Sequence, residues 1–389
     1  MAVKEQLDRL AAFEPAPYPV VSLYLNTQPG QTGRDQFNSF VRKEFAARSR
    51  TYEAGSPERE SLDKDLERIG RFLNEELDPA ANGVAIFACD AGELFEAIQM
   101  TAPIEHHWLS IGDQPHLYPL ARIESLHPRY AAVLADTNAA RILVFATGEV
   151  VAEREIKSVK TKRTSQGGWS QARYQRHAEN FHLHHAKEVV EALATVVRED
   201  QIDHVILAGD EAAVPLIEKE LPKYLAEKIV DVMRLDVRAP DDEVLRETLA
   251  VLREKDAETD QAVVSHLLDE YRGGGLAITG AAETLSALER GQVDTLVLAA
   301  SPEAIASADV ALGVAPTATH SGSIAEGLDA VDEAAERPAE SLPEAAIANQ
   351  AATELVRRAR LTSASIRFIE DAALLHDIGG VGAFLRFRV

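Results

Sequence analysis

Apolar residues in the first third of the chain follow two spacings that predict helices and strands. The run 19–25 is rich in β-branched and aromatic residues, which is typical of a buried strand. Leucine and isoleucine recur at helical spacing between charged residues over 61–76. The pattern predicts an amphipathic helix at the start, helices over 35–52 and 61–76, and strands over 19–25, 83–89 and 94–98. We expect an N-terminal α/β domain over residues 1–124.

Three closely spaced apolar runs open the middle part of the chain. Turn residues Asn138 and Gly148 separate them, which predicts a three-stranded meander. The predicted elements are strands over 130–136, 141–146, 149–152, 203–208 and 228–233, and helices over 171–198 and 241–271. We expect a central mixed-sheet domain over residues 125–257, which carries a glycine loop and a long helix.

The last part of the chain mixes helical and strand patterns around an acidic stretch. The stretch 326–344 holds seven acids against one arginine and few large apolar residues, so it predicts a loop rather than core. Around it, the pattern predicts helices over 281–290 and 346–360 and strands over 295–299 and 365–369, and a terminal run over 381–388 completes the domain. With a C-terminal α/β domain over 258–389, the chain is predicted to be an α/β protein of three domains.

Composition excludes several classes of protein. No apolar run approaches the roughly 18 residues that a membrane span needs, and the first residues do not have the pattern of a signal peptide. The one cysteine, Cys89, excludes a disulfide framework and a metal site built from cysteines. These features predict a cytoplasmic protein without a metal or other cofactor.

The net charge of -23 argues against a nucleic-acid partner, but one window departs from the mean. Residues 157–178 contain six basic residues and no acid. At about 100° per residue, one face of the predicted helix would be cationic and the opposite face apolar. The cationic stripe contains Arg173, Arg176, His177, Asn180, His184 and Lys187, and the apolar face contains Ala178, Phe181, Val189, Ala192, Leu193 and Val196. Because the stripe holds no acid before Glu191, it favours RNA or phosphate binding over a merely solvated face.

A glycine-containing loop, Gln166-Gly-Gly-Trp-Ser-Gln171, precedes this helix. Gly167 and Gly168 lack a Cβ and permit close approach to another backbone. The indole of Trp169 is either tucked against the domain or available for stacking on a partner such as a base. A flexible loop with a tucked tryptophan is the alternative to a binding loop.

Two catalytic alternatives are weaker. The string Gly168-Trp-Ser-Gln-Ala172 is close to a nucleophile elbow with Ser170 as nucleophile, but no buried apolar strand precedes it. The histidines near 182 do not have the spacing of a metal site, because they form an i,i+3 pair and no i,i+4 pair.

Several motifs, in the expected order, resemble the archaeal and eukaryotic class I peptide chain release factors. The string Gly167-Gly-Trp-Ser-Gln-Ala-Arg173-Tyr-Gln-Arg176 resembles their Gly-Gly-Gln loop and the helix that follows it. The strings at 205–209, 282–297 and 378–388 are similar to later segments of that family. The resemblance covers 128–389, and the first domain lacks the Asn-Ile-Lys-Ser motif that would imply stop-codon recognition. The closest kin are expected among the bacterial members of this superfamily, which also includes Pelota.

The resemblance implies a factor that acts in the ribosomal A site. It assigns catalysis of peptidyl-tRNA hydrolysis in ribosome rescue or quality control to Gly167, Gly168, Trp169 and Gln171. The RNA-binding residues would be Lys160, Lys162, Arg163, Arg173, Arg176 and His177. The implied partners are rRNA, the P-site tRNA and a translational GTPase, with no membrane and no DNA, and the third domain would resemble kink-turn-binding ribosomal proteins. Trp169 occupies the glutamine position of the family, so non-catalytic ribosome occupancy, as in hibernation, is the alternative function.

Overall fold

The computed structural model describes residues 3–14, 17–28, 36–157, 171–305 and 344–388. Within these residues the chain forms three β-sheets with helices packed against them, which confirms the predicted α/β class. The chain divides into two compact units. One contains Met1–Leu126 and Thr259–Val389, and the other is His127–Glu258. These limits lie next to the predicted boundaries, whereas the division into three domains stays a prediction.

The N-terminal segment of the first unit is built on an antiparallel sheet of order β3-β2-β1-β4. Helix α3 begins earlier than predicted because Ser56 caps it, its hydroxyl accepting from the Arg59 N–H at 3.2 Å, and Pro57 suits the first turn. Strand β4 and helix α4 were not predicted. The elements are α1 Val3–Ala11, β1 Val20–Asn26, α2 Gln36–Ser49, α3 Pro57–Glu75, β2 Gly83–Cys89, β3 Leu94–Met100, β4 Trp108–Gly112 and α4 Tyr118–Leu126.

The second unit contains a mixed sheet of order β7-β6-β5-β8-β9. The predicted meander is present as antiparallel β5, β6 and β7, whereas β8 and β9 continue the sheet in parallel. Its elements are β5 Tyr130–Ala135, β6 Ala139–Ala146, β7 Glu149–Lys157, α5 Gln171–Glu199, β8 His204–Gly209, α6 Val214–Glu220, α7 Lys223–Ala226, β9 Ile229–Met233 and the first part of α8 Asp241–Arg272, whose residues from Thr259 on belong to the first unit. Strand β5 is buried along its whole length. A Cβ at Gly209 would overlap the carbonyl of Ala135, so the end of this strand pair requires glycine.

The C-terminal segment of the first unit has its own sheet of order β10-β13-β11-β12. The turn at 273–275 leads from α8 into β10. The elements are β10 Ala277–Thr279, α9 Ala281–Glu289, β11 Val293–Ala299, α10 Glu344–Leu361, β12 Ser365–Ile369 and β13 Val381–Leu385. The acidic stretch 326–344 lies outside the described residues except for Glu344, so its loop character stays a prediction.

The two segments of the first unit share one hydrophobic cluster. It includes Leu7, Tyr24 and Phe87 from the N-terminal segment and Leu298 and Leu355 from the C-terminal segment. A hydrogen bond also joins the same two segments. The Tyr118 hydroxyl donates to the Ala299 carbonyl at 2.8 Å. In the parts of the chain that the structure describes, no helix is both long enough and apolar enough to span a bilayer.

Candidate functional site

The glycine segment predicted from the sequence lies between the end of β7 and the start of α5. Strand β7 ends at Lys157 and α5 begins at Gln171. The predicted site residues Lys160, Lys162, Arg163, Gly167, Gly168 and Trp169 lie outside the described residues. Gln171, Arg173, Arg176 and His177 belong to the first two turns of α5, and their side chains are likewise outside the described set. The roles proposed for these residues therefore stay predictions. The described residues show what holds β7 and α5, the two elements that flank the segment.

The C-terminal part of α5 is fixed in the core of the second unit. Val189 and Leu193 are fully buried in a cluster with Ile142 of β6 and Val205 of β8. Among the described residues of α5, burial begins at His185. The helix starts 14 residues earlier, which corresponds to about 21 Å of helix. A 29-residue helix thus joins the glycine segment to the sheet.

The described part of the predicted cationic stripe is exposed as expected, but acidic side chains lie close to it. Asn180, His184 and Lys187 are exposed, whereas Val189 and Leu193 on the other face are buried. His184 lies 3.3 Å from Glu188, and Lys187 lies 3.9 Å from Glu220 of α6. The stripe's own positions hold no acid before Glu191, but acids from neighbouring positions reach it at its C-terminal end. Any unneutralised positive charge of the stripe belongs to its first turns.

Strand β7, which precedes the glycine segment, is held by an arginine of β6. Arg141 donates to Glu153 of β7 at 2.8 Å, to Asp241 of α8 at 2.6 Å and to the Ala239 carbonyl at 2.9 Å. At the end of β7, Lys157 pairs with Glu155 and holds the pKa of the Glu155 carboxyl below its ordinary value. Lys157 is the first basic residue of the acid-free window, and it already has an acidic partner.

The central part of the chain matches the model of a known protein family. Residues 115–253, which include the sheet of the second unit, β7, α5 and the glycine segment, match the model of the bacterial archaeo-eukaryotic release factor family 10. Over this central part, the chain is similar to the Pelota-like release factor superfamily. The resemblance inferred from the glycine segment is thereby confirmed.

The relatives and solved structures that this chain is similar to are distant in sequence. The uncharacterized protein Rv2629 of Mycobacterium tuberculosis is 25% identical over 287 residues, which cover 72% of this chain and 71% of the relative. Dom34 of S. cerevisiae, described as a translation termination-like factor, is 12% identical over 79% of this chain and 80% of its own, with a TM-score of 0.42. Archaeoglobus fulgidus Pelota is 14% identical over 81% of this chain and 82% of its own, with a TM-score of 0.31. The archaeal translation termination factor aRF1 is 17% identical over 100% of this chain and 99% of its own, with a TM-score of 0.26.

The nucleophile-elbow alternative gains no support from the described residues around β7. An elbow places its serine directly after a buried strand. The strand before Ser170 is β7, in which no residue is fully buried, and it ends at Lys157, well before the serine. The edge position of β7 in the sheet explains its exposure. A serine hydrolase site at Ser170 is therefore disfavoured.

The histidines of α5 do not form a metal site in the part of the chain that the structure describes. His185 is buried in the packed face of the helix, whereas His184 is exposed and contacts Glu188. His182 lies beside the ring of Phe181, with centroids 6.1 Å apart. Among the described residues, no group of three or more histidine, cysteine, aspartate or glutamate side chains is arranged to hold a metal ion.

Sequence reasoning missed a cavity at the C-terminal end of α5. Its volume is about 530 Å³, and its lining includes Arg198, Gln201, Tyr224 and Lys228. These residues come from the end of α5, from α7 and from the approach to β9. The one local signal was Tyr224, an aromatic residue between Lys223 and the apolar Leu225, but a single exposed tyrosine does not predict a cavity.

Proposed function

We propose that this release factor homologue binds the ribosomal A site and brings its glycine segment to the peptidyl transferase centre. The observation that carries the proposal is the position of the motif. The segment Gly167 to Arg176 ends in the first turns of a 29-residue helix whose far end is buried in the core, inside the region that matches the release factor family. A segment that directly precedes a long anchored helix is suited to reaching a recessed reaction centre.

The reaction that this segment would support is hydrolysis of the peptidyl-tRNA ester during ribosome rescue or quality control. A water molecule attacks the ester carbonyl carbon, and the bond to the tRNA ribose oxygen breaks as that oxygen takes up a proton. Gly167 and Gly168 would permit close approach of the backbone. The N–H of Trp169 would donate to the developing oxyanion, and the amide of Gln171 would orient the water. Positioning and preorganised donors then supply the rate without an ionisable catalyst.

Basic residues around the glycine segment would bind phosphates of rRNA and the P-site tRNA. They are Lys160, Lys162, Arg163, Arg173, Arg176 and His177. The contact of His184 with Glu188 and the ion pair of Lys187 with Glu220 limit the cationic surface to the first turns of α5. The RNA contact is therefore proposed for the end of the helix that carries the glycine segment.

Non-catalytic occupancy of the ribosome, as in hibernation, is the second candidate, and Trp169 favours it. This tryptophan stands where the family has the glutamine that takes part in hydrolysis. An indole can stack on a base of rRNA or tRNA, which contributes about 1 to 3 kcal/mol. The factor would then fill the site without cleaving the ester.

A translational GTPase is the protein partner that we propose. The support is the similarity of 282–297 and 378–388 to the later release factor segments, which place this partner at the third domain in that family. The proposal includes no cofactor, no DNA and no membrane partner.

Single-turnover peptide release separates the two functions. Purified ribosomes carrying labelled peptidyl-tRNA in the P site are mixed with the wild type or with Gly168→Ala, Trp169→Ala or Gln171→Ala. For a hydrolase, we expect Gly168→Ala and Gln171→Ala to reduce the release rate by about 100-fold, the effect of losing one oxyanion or positioning contact. Gln175→Ala is the matched control, since this amide lies on the same helix but opposite the cationic stripe, and release should stay within about twofold.

Ribosome binding is measured in parallel by co-sedimentation at increasing salt. Binding should weaken with salt and with Arg173→Glu or Arg176→Glu, because released counterions drive phosphate contacts. Arg246→Glu, on an exposed position of α8, is the charge-matched control. Tight binding without release would select the occupancy function, and binding that is insensitive to salt and to both arginine variants would exclude both functions.

A further inference from the structure

The cavity at the end of α5 combines features that suit a nucleotide. It has a volume of about 530 Å³ within the second unit, inside the range of about 300 to 1,000 Å³ that is ordinary for small-ligand pockets. Ile202, which is almost fully buried, contributes an apolar surface to its lining. The polar residues Thr195, Arg198, Gln201 and Asp203 line it as well. The cavity lies at the end of α5 opposite the glycine segment, so the release factor motif does not account for it.

Two cationic side chains face this cavity, and they differ in their partners. Lys228 lies 2.7 Å from Asp203, so its charge is already compensated. Arg198 is exposed and has no ion-pair partner among the described residues. A guanidinium presents several donors in a planar fork that matches the oxygens of a phosphate. Arg198 is therefore the group that would bind an anion here.

The tyrosine of the cavity is held with its ring accessible. Leu225 is fully buried and anchors the short helix α7, while the neighbouring Tyr224 is 54% exposed. An exposed aromatic ring on the wall of a cavity offers a face on which a nucleobase can stack. Arg198 and Tyr224 thus supply complementary contacts for the phosphate and for the base.

Gln201 occupies a position where glycine would be easier to accommodate. It follows the end of α5 with a φ of 52°, in the left-handed region. The neighbouring Ile202 N–H donates to the Val197 carbonyl at 3.1 Å, a bond typical of a helix C-terminus that ends in glycine. A glutamine here costs conformational energy, yet its amide lines the cavity and can both donate to and accept from a base edge.

From these observations we infer that the cavity lined by Arg198, Gln201 and Tyr224 binds a nucleotide, with the phosphate at Arg198 and the base stacked on Tyr224. The nucleotide is either a free mononucleotide or an unpaired nucleotide of an RNA strand. Both sources present the same phosphate and the same base. The inference does not depend on the function proposed for the glycine segment.

Equilibrium dialysis with radiolabelled adenosine 5′-monophosphate tests the inference on the full chain. We expect saturable binding in the submillimolar range, and binding of adenosine or of inorganic phosphate that is at least about tenfold weaker. Competition by single-stranded hexa-adenylate identifies the source. Displacement at a lower concentration than the unlabelled mononucleotide indicates RNA, and absence of displacement indicates a free nucleotide. No saturable binding of either probe up to about 5 mM would overturn the inference.

Variants assign the contacts. Arg198→Ala and Tyr224→Ala should each weaken mononucleotide binding by about tenfold or more. The matched controls are Arg238→Ala, an exposed arginine of the same unit, and Tyr271→Ala, a tyrosine of the other unit that is 44% exposed. Both controls should leave the affinity within about twofold. Equal affinities of the wild type and both cavity variants would place the nucleotide elsewhere.

Gln201→Gly separates a binding role from a structural one. Glycine removes the strain of the left-handed backbone, so the melting temperature should rise by about 2 °C. The same change removes the amide, so mononucleotide binding should weaken by about fivefold. A more stable protein with unchanged affinity would contradict the role assigned to Gln201, because no folding defect would mask the contact.

Discussion

Asp65 is a carboxylate buried where the helix pattern would place an apolar residue. It lies on α3 and is 1% exposed, and one of its carboxylate oxygens has no hydrogen-bond partner. Burial raises its pKa to about 7, although a hydrogen bond from the Asp90 backbone opposes the shift. The adjacent Cys89 thiol is also buried, and burial raises its pKa as well. The folded protein therefore favours the protonated form of Asp65.

This environment predicts a pH-dependent stability that Asp65→Asn should remove. The pKa of Asp65 is higher in the folded than in the unfolded protein. The stability of the wild type is therefore undiminished by Asp65 below about pH 4 and decreases as the pH rises towards 7. The variant should unfold at higher urea concentration than the wild type at pH 8, by a free energy on the order of 3 kcal/mol, and should gain little at pH 4. Urea unfolding at the two pH values measures the difference.

Asp63 on the same helix provides the control with the opposite sign. Slight burial raises its pKa, but hydrogen bonds from Ser49 and Arg59 outweigh this effect, and the net pKa is lowered. Asp63→Asn should therefore lower stability near neutral pH, and the loss should shrink as the pH falls below its ordinary pKa. If Asp65→Asn and Asp63→Asn change the free energy of unfolding in the same direction at pH 8, burial of the Asp65 carboxylate does not cause the effect of Asp65→Asn.

Helix α3 illustrates what spacing can predict for single residues. Leu62 and Ile69 recur at helical spacing and are fully buried, as the pattern indicates. Asp65 lies on the same face, but an apolar pattern treats every carboxylate as exposed because ionised groups are costly to bury. At the candidate site the limit is different. The chemistry of Gly167, Gly168 and Gln171 was inferred from family resemblance, since two glycines and an amide have no unusual hydrophobicity.

At the scale of elements, β7 shows why strand ends are hard to predict. The apolar alternation stops at Ala152, yet the strand continues to Lys157 through charged residues. Pairing with β6 supplies the backbone hydrogen bonds, and Arg141 lies opposite the acidic residues of β7. The length of β7 therefore depends on its pairing with β6 and cannot be predicted from the residues of β7 alone. Helix α5, in contrast, buries a continuous apolar face, and its period predicts it directly.

Arg141 should fasten β7 to the rest of the second unit. Its guanidinium is 18% exposed and bridges Glu153 and Asp241. Arg141→Ala should lower the free energy of unfolding of this unit by about 1 to 2 kcal/mol and reduce hydrogen-exchange protection along β7. The control is Arg154→Ala, an exposed arginine of the same strand. Equal protection of β7 in the two variants would show that strand pairing alone holds it.

For the whole molecule, local patterns do not show how the segments on either side of the central unit are grouped. The predicted boundaries lie next to the limits of the second unit, but the helix predicted over 241–271 crosses the second of these limits. That residues 1–126 and 259–389 belong to one unit follows from contacts such as Tyr118 with Ala299, which are 181 residues apart in sequence. Local periodicity carries no information about such pairs.

Two buried tyrosines, one in each unit, test whether the segments of the first unit unfold together. The Tyr118 hydroxyl donates to the Ala299 carbonyl at 2.8 Å, and the Tyr130 hydroxyl lies 2.7 Å from the Thr248 hydroxyl. Replacing either tyrosine with phenylalanine keeps the ring and removes one buried hydrogen bond, at a cost of about 1 to 2 kcal/mol. The two variants are thus chemically matched and differ in the unit that they weaken.

Hydrogen exchange read by mass spectrometry distinguishes the outcomes. Tyr118→Phe should lower protection in β2 and in β11 by similar amounts, because both strands contribute to one hydrophobic cluster, and it should leave β5 and β8 unchanged. Tyr130→Phe should lower protection in β5 and β8 and leave β2 and β11 unchanged. A loss of protection confined to β11 in the Tyr118→Phe protein would mean that the N-terminal segment unfolds independently. In that case the three-domain division would describe the unfolding behaviour better than the two compact units.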